Sequence, residues 1–120
     1  MIDTGHHAIL DIYNVPFCVA DDLEFWTSLC LKAAEVAKTK VLAKNTHKFE
    51  PQGVSGIILI SESHISFHSF PEKNFVAFDF YSCGSKENFD NAIEWIVNEL
   101  TDRVPEIFIK FKIIKRGERL

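Results

Sequence analysis

Cysteine is scarce in this chain and does not fall into a pairing pattern. The 120 residues hold three, Cys18, Cys30 and Cys83, an odd number with no CxxC spacing. That excludes a disulfide framework or a zinc ribbon and suits a reducing compartment. Long apolar runs are also missing. The longest, Gly56 to Ile60, is far short of the ~20 residues a membrane-spanning helix needs. The opening MIDTGHH lacks the basic and apolar regions of a secretory signal, so a cytoplasmic location and no membrane partner are expected. Positive charge is in deficit, 13 Lys and Arg against 17 Asp and Glu, for a net charge of −4. No basic footprint precedes the last dozen residues, which argues against a nucleic-acid partner. The five glycines and four prolines fall singly at turns, with no linker or repeat.

The chain length fits one domain over 1–120, with no space for a separate cofactor-binding domain. With 47% hydrophobic residues, such a chain buries roughly two-thirds of its unfolded surface and needs no staples. Ala8 to Tyr13 reads as a first strand. Residues 22–38 read as a helix, because Leu23, Trp26, Leu29, Cys30, Ala33 and Ala37 share one face, with Asp21 or Asp22 as N-cap. Strands are expected at 40–46 and 54–60. His64 to Phe70 and Phe75 to Tyr81 bracket a hairpin turn at 71–74. Residues 86–100 form the cleanest helix, behind Ser85 as cap. Alternation at 107–113 predicts a last strand that buries Ile107, Ile109, Phe111 and Ile113. The order predicts an α+β two-layer sandwich, a mainly antiparallel sheet with two helices on one face.

No metal is expected. His64 and His68 are four residues apart, but the HISFHSF segment alternates as a strand, where that spacing spans about 13 Å. The adjacent His6 and His7 point to opposite sides of a strand. For nucleophilic catalysis, Cys83, His68, Ser63 and Ser55 supply suitable groups. Taken singly, each also reads as an ordinary core or strand-end residue.

The combination is more specific. FEPQGVSG at 49–56, SESHIS at 61–66, HSFPE at 68–72, Phe78-Asp79 and Ser82-Cys83-Gly84 together resemble the small prokaryotic class of S-adenosylmethionine decarboxylase proenzymes. The likeness runs from Gly5-His6-His7 to Arg116-Gly117. It implies self-cleavage between Glu62 and Ser63 into chains 1–62 and 63–120. Ser63 attacks the preceding carbonyl to give an ester, and β-elimination and hydrolysis leave a pyruvoyl group, the cofactor, which holds substrate as a Schiff base. By the same resemblance, Ser55 supports the processing intermediate, His68 removes the α-proton for elimination and Cys83 reprotonates the decarboxylated carbon. Phe49 and Phe70 stack on adenine and Glu72 binds the ribose. Position 70, often Trp or Tyr in the family's HTWPE-like motif, is Phe70 in this chain; a phenyl ring still stacks but lacks a polar tip.

The residues also constrain how these groups meet. In one extended strand Ser63 and His68 lie about 16 Å apart and point to opposite faces. The 71–74 turn instead sets Ser63 opposite Cys83 or its neighbour. Ser63 and Cys83 are therefore expected from one chain and His68, Ser55, Phe49, Phe70 and Glu72 from a two-fold partner, in a homodimer with composite sites. The expected reaction is decarboxylation of S-adenosylmethionine for spermidine synthesis. Alternatives are the same chemistry on ornithine or arginine, and a non-catalytic dimer that binds a metabolite. Phe49, Phe70 and Glu72 favour the nucleoside substrate, since a free amino acid has no use for a stacking pair.

Overall fold

The computed structural model describes residues 4–61 and 63–118. Glu62, half of the expected cleavage site, lies outside them. Strand β1 spans His6–Tyr13, followed by a short helix α1 (Phe17–Ala20) and the longer α2 (Leu23–Val36). Strands β2 (Val41–Lys48), β3 (Val54–Ile60) and β4 (Ser63–Phe70) follow. A 3-10 turn at Pro71–Lys73 leads into β5 (Phe75–Ser82), then α3 (Lys86–Arg103) and β6 (Phe108–Lys115). The sheet order is β2-β3-β4-β5-β1-β6, and every neighbouring pair is antiparallel. The α+β architecture expected from the sequence is therefore present.

The caps explain where the long helices begin. The Asp22 carboxylate accepts the Phe25 amide and the Ser85 hydroxyl accepts the Asn88 amide. Each satisfies one of the first-turn donors that a helix leaves free. The helices lay Trp26, Leu29, Cys30, Ala33, Phe89, Ala92, Ile93, Ile96 and Leu100 on one face of the sheet. That face answers with Ala8, Leu10 and Ile12 of β1, Ile58 and Ile60 of β3, Ile65 and Phe67 of β4, and Val76, Phe78 and Phe80 of β5. The other face carries no layer within the chain and leaves Ile9, Ile57 and Leu59 at 40–46% exposure.

Two expectations need correction. The segment before α2 holds its own short helix, because Pro16 opens a turn at 17–20 that is too brief to show a periodic pattern. The last strand is shifted to 108–115, and the expected apolar side is only partly covered: Ile107 and Ile109 pack against the core, whereas Phe111 is 51% and Ile113 39% exposed. At the sheet edge next to β1, β6 extends beyond the cover that α2 and α3 provide.

Asp21, which does not cap α2, ties down the 49–53 loop. Its carboxylate accepts the Gly53 amide at 2.8 Å and pairs with Lys48 at 2.6 Å. The Lys48 contact, followed by the Gly53 amide, holds the Asp21 carboxyl below its ordinary value. A lowered folded value means the stabilisation is present at neutral pH and is lost as pH falls through it. Asp21→Asn should therefore melt below wild type at pH 7, with the gap closing as pH drops below 3.8; thermal melts across pH check this. Gly56 sits opposite Phe67, where an added Cβ would lie 2.5 Å from the Phe67 ring. Gly56→Ala should cost about 1–3 kcal/mol by overpacking, read from urea unfolding.

Candidate active site

Strand β4 carries most of the expected site, and its ladder is unbroken. On one side Ser55 pairs with His68 and Ile60 with Ser63. On the other, Ser63 pairs with Ser82 and Phe70 with Phe75. Ser63 and His68 are thus five strand positions apart, roughly 16 Å, and alternation sends them to opposite faces. Within one chain the structure does not bring them together.

At the far end of β4, on the open face, His68 has Phe70 at 4.7 Å and Phe49 at 5.7 Å between ring centroids. His47 adds a further edge contact to Phe49 at 4.5 Å. The Ser55 hydroxyl donates a long 3.4 Å hydrogen bond to the Phe67 carbonyl. Glu72 is exposed in the turn just beyond. A concavity of about 680 Å³ opens on this face, lined by Phe49, Ser55 and His68 at one end and His7 and Asp79 at the other.

At the near end, Ser63 belongs to the helix-covered side with Ile65 and Phe67, and its buried hydroxyl has no hydrogen-bond partner. Cys83 follows directly after β5, one residue beyond the register partner of Ser63. Its thiol does not bond Ser63 and points instead to the Thr4 carbonyl at 3.8 Å. The Tyr81 hydroxyl donates to the same carbonyl. A hydrogen bond with Cys83, reinforced by burial, pushes the Tyr81 phenol above its usual value. The remaining cysteines differ: Cys18 is exposed, whereas Cys30 is buried and desolvation raises its thiol, leaving it inert.

Between the two ends lies a polar cluster that sequence spacing did not single out. Asp79 accepts from His7 Nε2 at 2.6 Å, from His64 Nε2 at 3.2 Å, and from the Ser66 hydroxyl. Arg116 approaches His7 Nδ1 at 2.8 Å. A guanidinium can only donate, so His7 Nδ1 accepts and Nε2–H faces Asp79. His7, His64 and Asp79 offer ligand atoms within 4.8 Å of one another, close enough for one metal ion. In the observed hydrogen-bond pattern, however, Nε2 of His7 is occupied by its proton, and a metal there would set an Nδ1–H against Arg116. The cluster is a hydrogen-bond network. The 71–74 turn did hold its signal: with residue numbers summing to 145, Ser66 falls opposite Asp79 and His64 opposite Tyr81.

Comparison with known proteins agrees with this arrangement. The family model for S-adenosylmethionine decarboxylase matches residues 6–112. An S-adenosylmethionine decarboxylase proenzyme 2 of Bacillus cereus is 40% identical over 114 residues, 95% of this chain and 91% of that protein. An S-adenosylmethionine decarboxylase proenzyme of Sulfurihydrogenibium is 39% identical over 94% of this chain and 82% of its own length. The crystal structure of the adenosylmethionine decarboxylase from Aquifex aeolicus superposes with a TM-score of 0.83 at 28% identity, covering 100% of this chain and 96% of that one. On sequence and on fold alike, the chain belongs to the S-adenosylmethionine decarboxylase family.

Proposed function

We propose that this chain is a proenzyme that cuts itself between Glu62 and Ser63 and then decarboxylates S-adenosylmethionine, the step that supplies the aminopropyl donor for spermidine. Residues 1–62 and 63–120 become two chains of one mature domain. The observation that carries the reading is the division of the site along β4: Ser63 with Ser82 and Cys83 at one end, His68 with Ser55, Phe49 and Phe70 at the other.

A two-fold dimer reunites the halves. The open sheet face exposes Ile9, Ile57, Leu59 and Phe108 around its polar centre, apolar area that a partner face would cover. Two such faces stacked about a two-fold axis, with strands running in opposite senses, set the Ser63 end of one protomer over the His68 end of its partner. Ser63 and Cys83 then come from one chain, and His68, Ser55, Phe49, Phe70 and Glu72 from the other. Free Cys18, Cys30 and Cys83 support a reducing, cytoplasmic setting. Among the described residues no helix is long and apolar enough to cross a membrane.

Each residue's task follows from its chemistry. An ester is a better elimination substrate than an amide, since carboxylate leaves more readily. The Ser63 hydroxyl therefore replaces the peptide nitrogen on the residue-62 carbonyl. An imidazole near neutral pH suits removal of the Ser63 α-proton, the task assigned to His68. The Ser55 hydroxyl supplies a hydrogen bond to developing oxyanion charge. The buried, unpartnered Ser63 oxygen fits a cofactor made in place from that residue. The pyruvoyl group supplies an electron sink for loss of CO2. Cys83 returns a proton to the substrate carbon, and Phe49, Phe70 and Glu72 hold the nucleoside. That aromatic pair beside a carboxylate favours S-adenosylmethionine over ornithine or arginine, and membership of a decarboxylase family sets aside the non-catalytic dimer.

Ser63→Ala should fold, stay uncut and release no labelled CO2 from carboxyl-labelled S-adenosylmethionine. His68→Ala should slow maturation by about 10²-fold or more and accumulate an ester that hydroxylamine splits. Cleavage of Ser63→Ala would show that Ser63 is not the attacking group, and normal maturation of His68→Ala would show that His68 is not the elimination base.

A further inference from the structure

The Ser63 hydroxyl proton has to go somewhere before elimination begins, and the elimination base is not placed to take it. Ser63 lies on the helix-covered face, among Ile60, Ile65 and Ser82, all buried. His68 lies on the open face by alternation. A base on that open face, from either protomer, is separated from the Ser63 hydroxyl by the sheet itself.

The covered face offers another. Among the described residues only three buried side-chain polar atoms lack a hydrogen-bond partner: His6 Nδ1, Thr27 Oγ1 and Ser63 Oγ. Such orphans are costly and call for an explanation. Two of the three flank a single residue. Ser82 is the register partner of Ser63 on β4 and of His6 on β1, so the three side chains stand in one row on one face. Directly opposed residues on adjacent strands have Cβ atoms about 4.5–5.5 Å apart.

We propose that His6 accepts the Ser63 hydroxyl proton, relayed by the Ser82 hydroxyl, in the step that turns the 62–63 amide into an ester; the proposal rests on the self-cleavage reading above. A serine hydroxyl has one donor and two acceptor sites. Ser82 Oγ already accepts the Gly84 amide at 3.1 Å. One lone pair remains for Ser63 and one proton for His6 Nδ1, so the relay uses the full capacity of Ser82. The row is not closed by hydrogen bonds in the resting chain; the relay requires a rotamer change at Ser63 and a turn of the Ser82 hydroxyl proton toward His6.

The step balances without a co-reactant. Ser63 Oγ bonds to the residue-62 carbonyl carbon as its proton passes to Ser82 and the Ser82 proton to His6. The carbon–nitrogen bond then breaks, and the proton held on His6 returns through Ser82 to the freed amino nitrogen. His6 touches no reacting atom, so it is a positioning residue that works through Ser82. Around it, β6 brings Lys115 to the opposing register position and α3 brings Phe89, with ring centroids 5.6 Å apart. The first turns of α3 also carry Glu87, and Lys86 paired with Asp90.

The test isolates ester formation in a His68→Ala background, with hydroxylamine cleavage followed over time from about pH 5 to 8. Adding His6→Asn, which keeps a polar group of similar reach but no base, should slow ester formation by about 10²-fold. It should also flatten the pH dependence of the rate across that range. Ser82→Ala should give the same loss and Ser82→Thr should restore the rate, and that pair decides the matter if His6→Asn does not fold. Ester formation at the parent rate and with the parent pH profile in His6→Asn, or in Ser82→Ala, overturns the relay. A wild-type chain that never cleaves overturns the self-cleavage reading, and the relay with it.

Discussion

The unbroken hydrogen-bond ladder of β4 is the constraint on which the rest of this protein depends. A strand can neither bend two of its own residues together nor turn two odd-spaced side chains to one side. Because β4 is paired on both edges from Ser63 to His68, those two residues are held apart and on opposite faces. A loop at the same positions would allow the two to meet and would remove any need for a second chain. Pairing on both edges is thus why the proposed site draws on two protomers.

The faces divide the labour. The helix-covered side is largely apolar, and it holds the Ser63 oxygen, Ser82 and the His6 Nδ1 out of water. The open side is polar at its centre, where Asp79 gathers His7, His64 and Ser66, and apolar around that centre. A sheet with one face buried and one half-apolar is a stable arrangement only if something covers the second face or the apolar residues are widely spread. In this chain Ile9, Ile57 and Leu59 occupy β1 and β3 on either side of the polar cluster. In the proposed dimer the cluster would supply register and the apolar residues area for a second copy.

Much of this arrangement was legible in the sequence, and the reasons differ by element. Asp22 and Ser85 announced their helices because a capping side chain is a local event. The turn at 71–74 narrowed the β4–β5 register to Ser63 opposite Cys83 or its neighbour, because a hairpin has one degree of freedom once its turn is placed, and the structure selects Ser82. The edge position of β6 was not legible: alternation reports which side is apolar but not whether the helices extend far enough to cover it. The Asp79 cluster was missed for a related reason. Its members come from β1, β4, β5 and the segment after β6, and no spacing within one segment shows that four segments converge. The orphaned atoms of His6 and Ser63 are properties of packing and have no sequence signature at all.

The central claim is that one active site draws on two chains. Co-expression of Ser63→Ala with His68→Ala tests it most directly, because each chain retains what the other lacks. In a mixed dimer the intact Ser63 of the His68→Ala chain shares a site with the intact His68 of its partner. Intact-mass measurement should then find the His68→Ala chain cut into 1–62 and 63–120, although neither variant is cut efficiently alone. If mixed dimers form and that chain stays whole, Ser63 and His68 act within one protomer and the account is wrong.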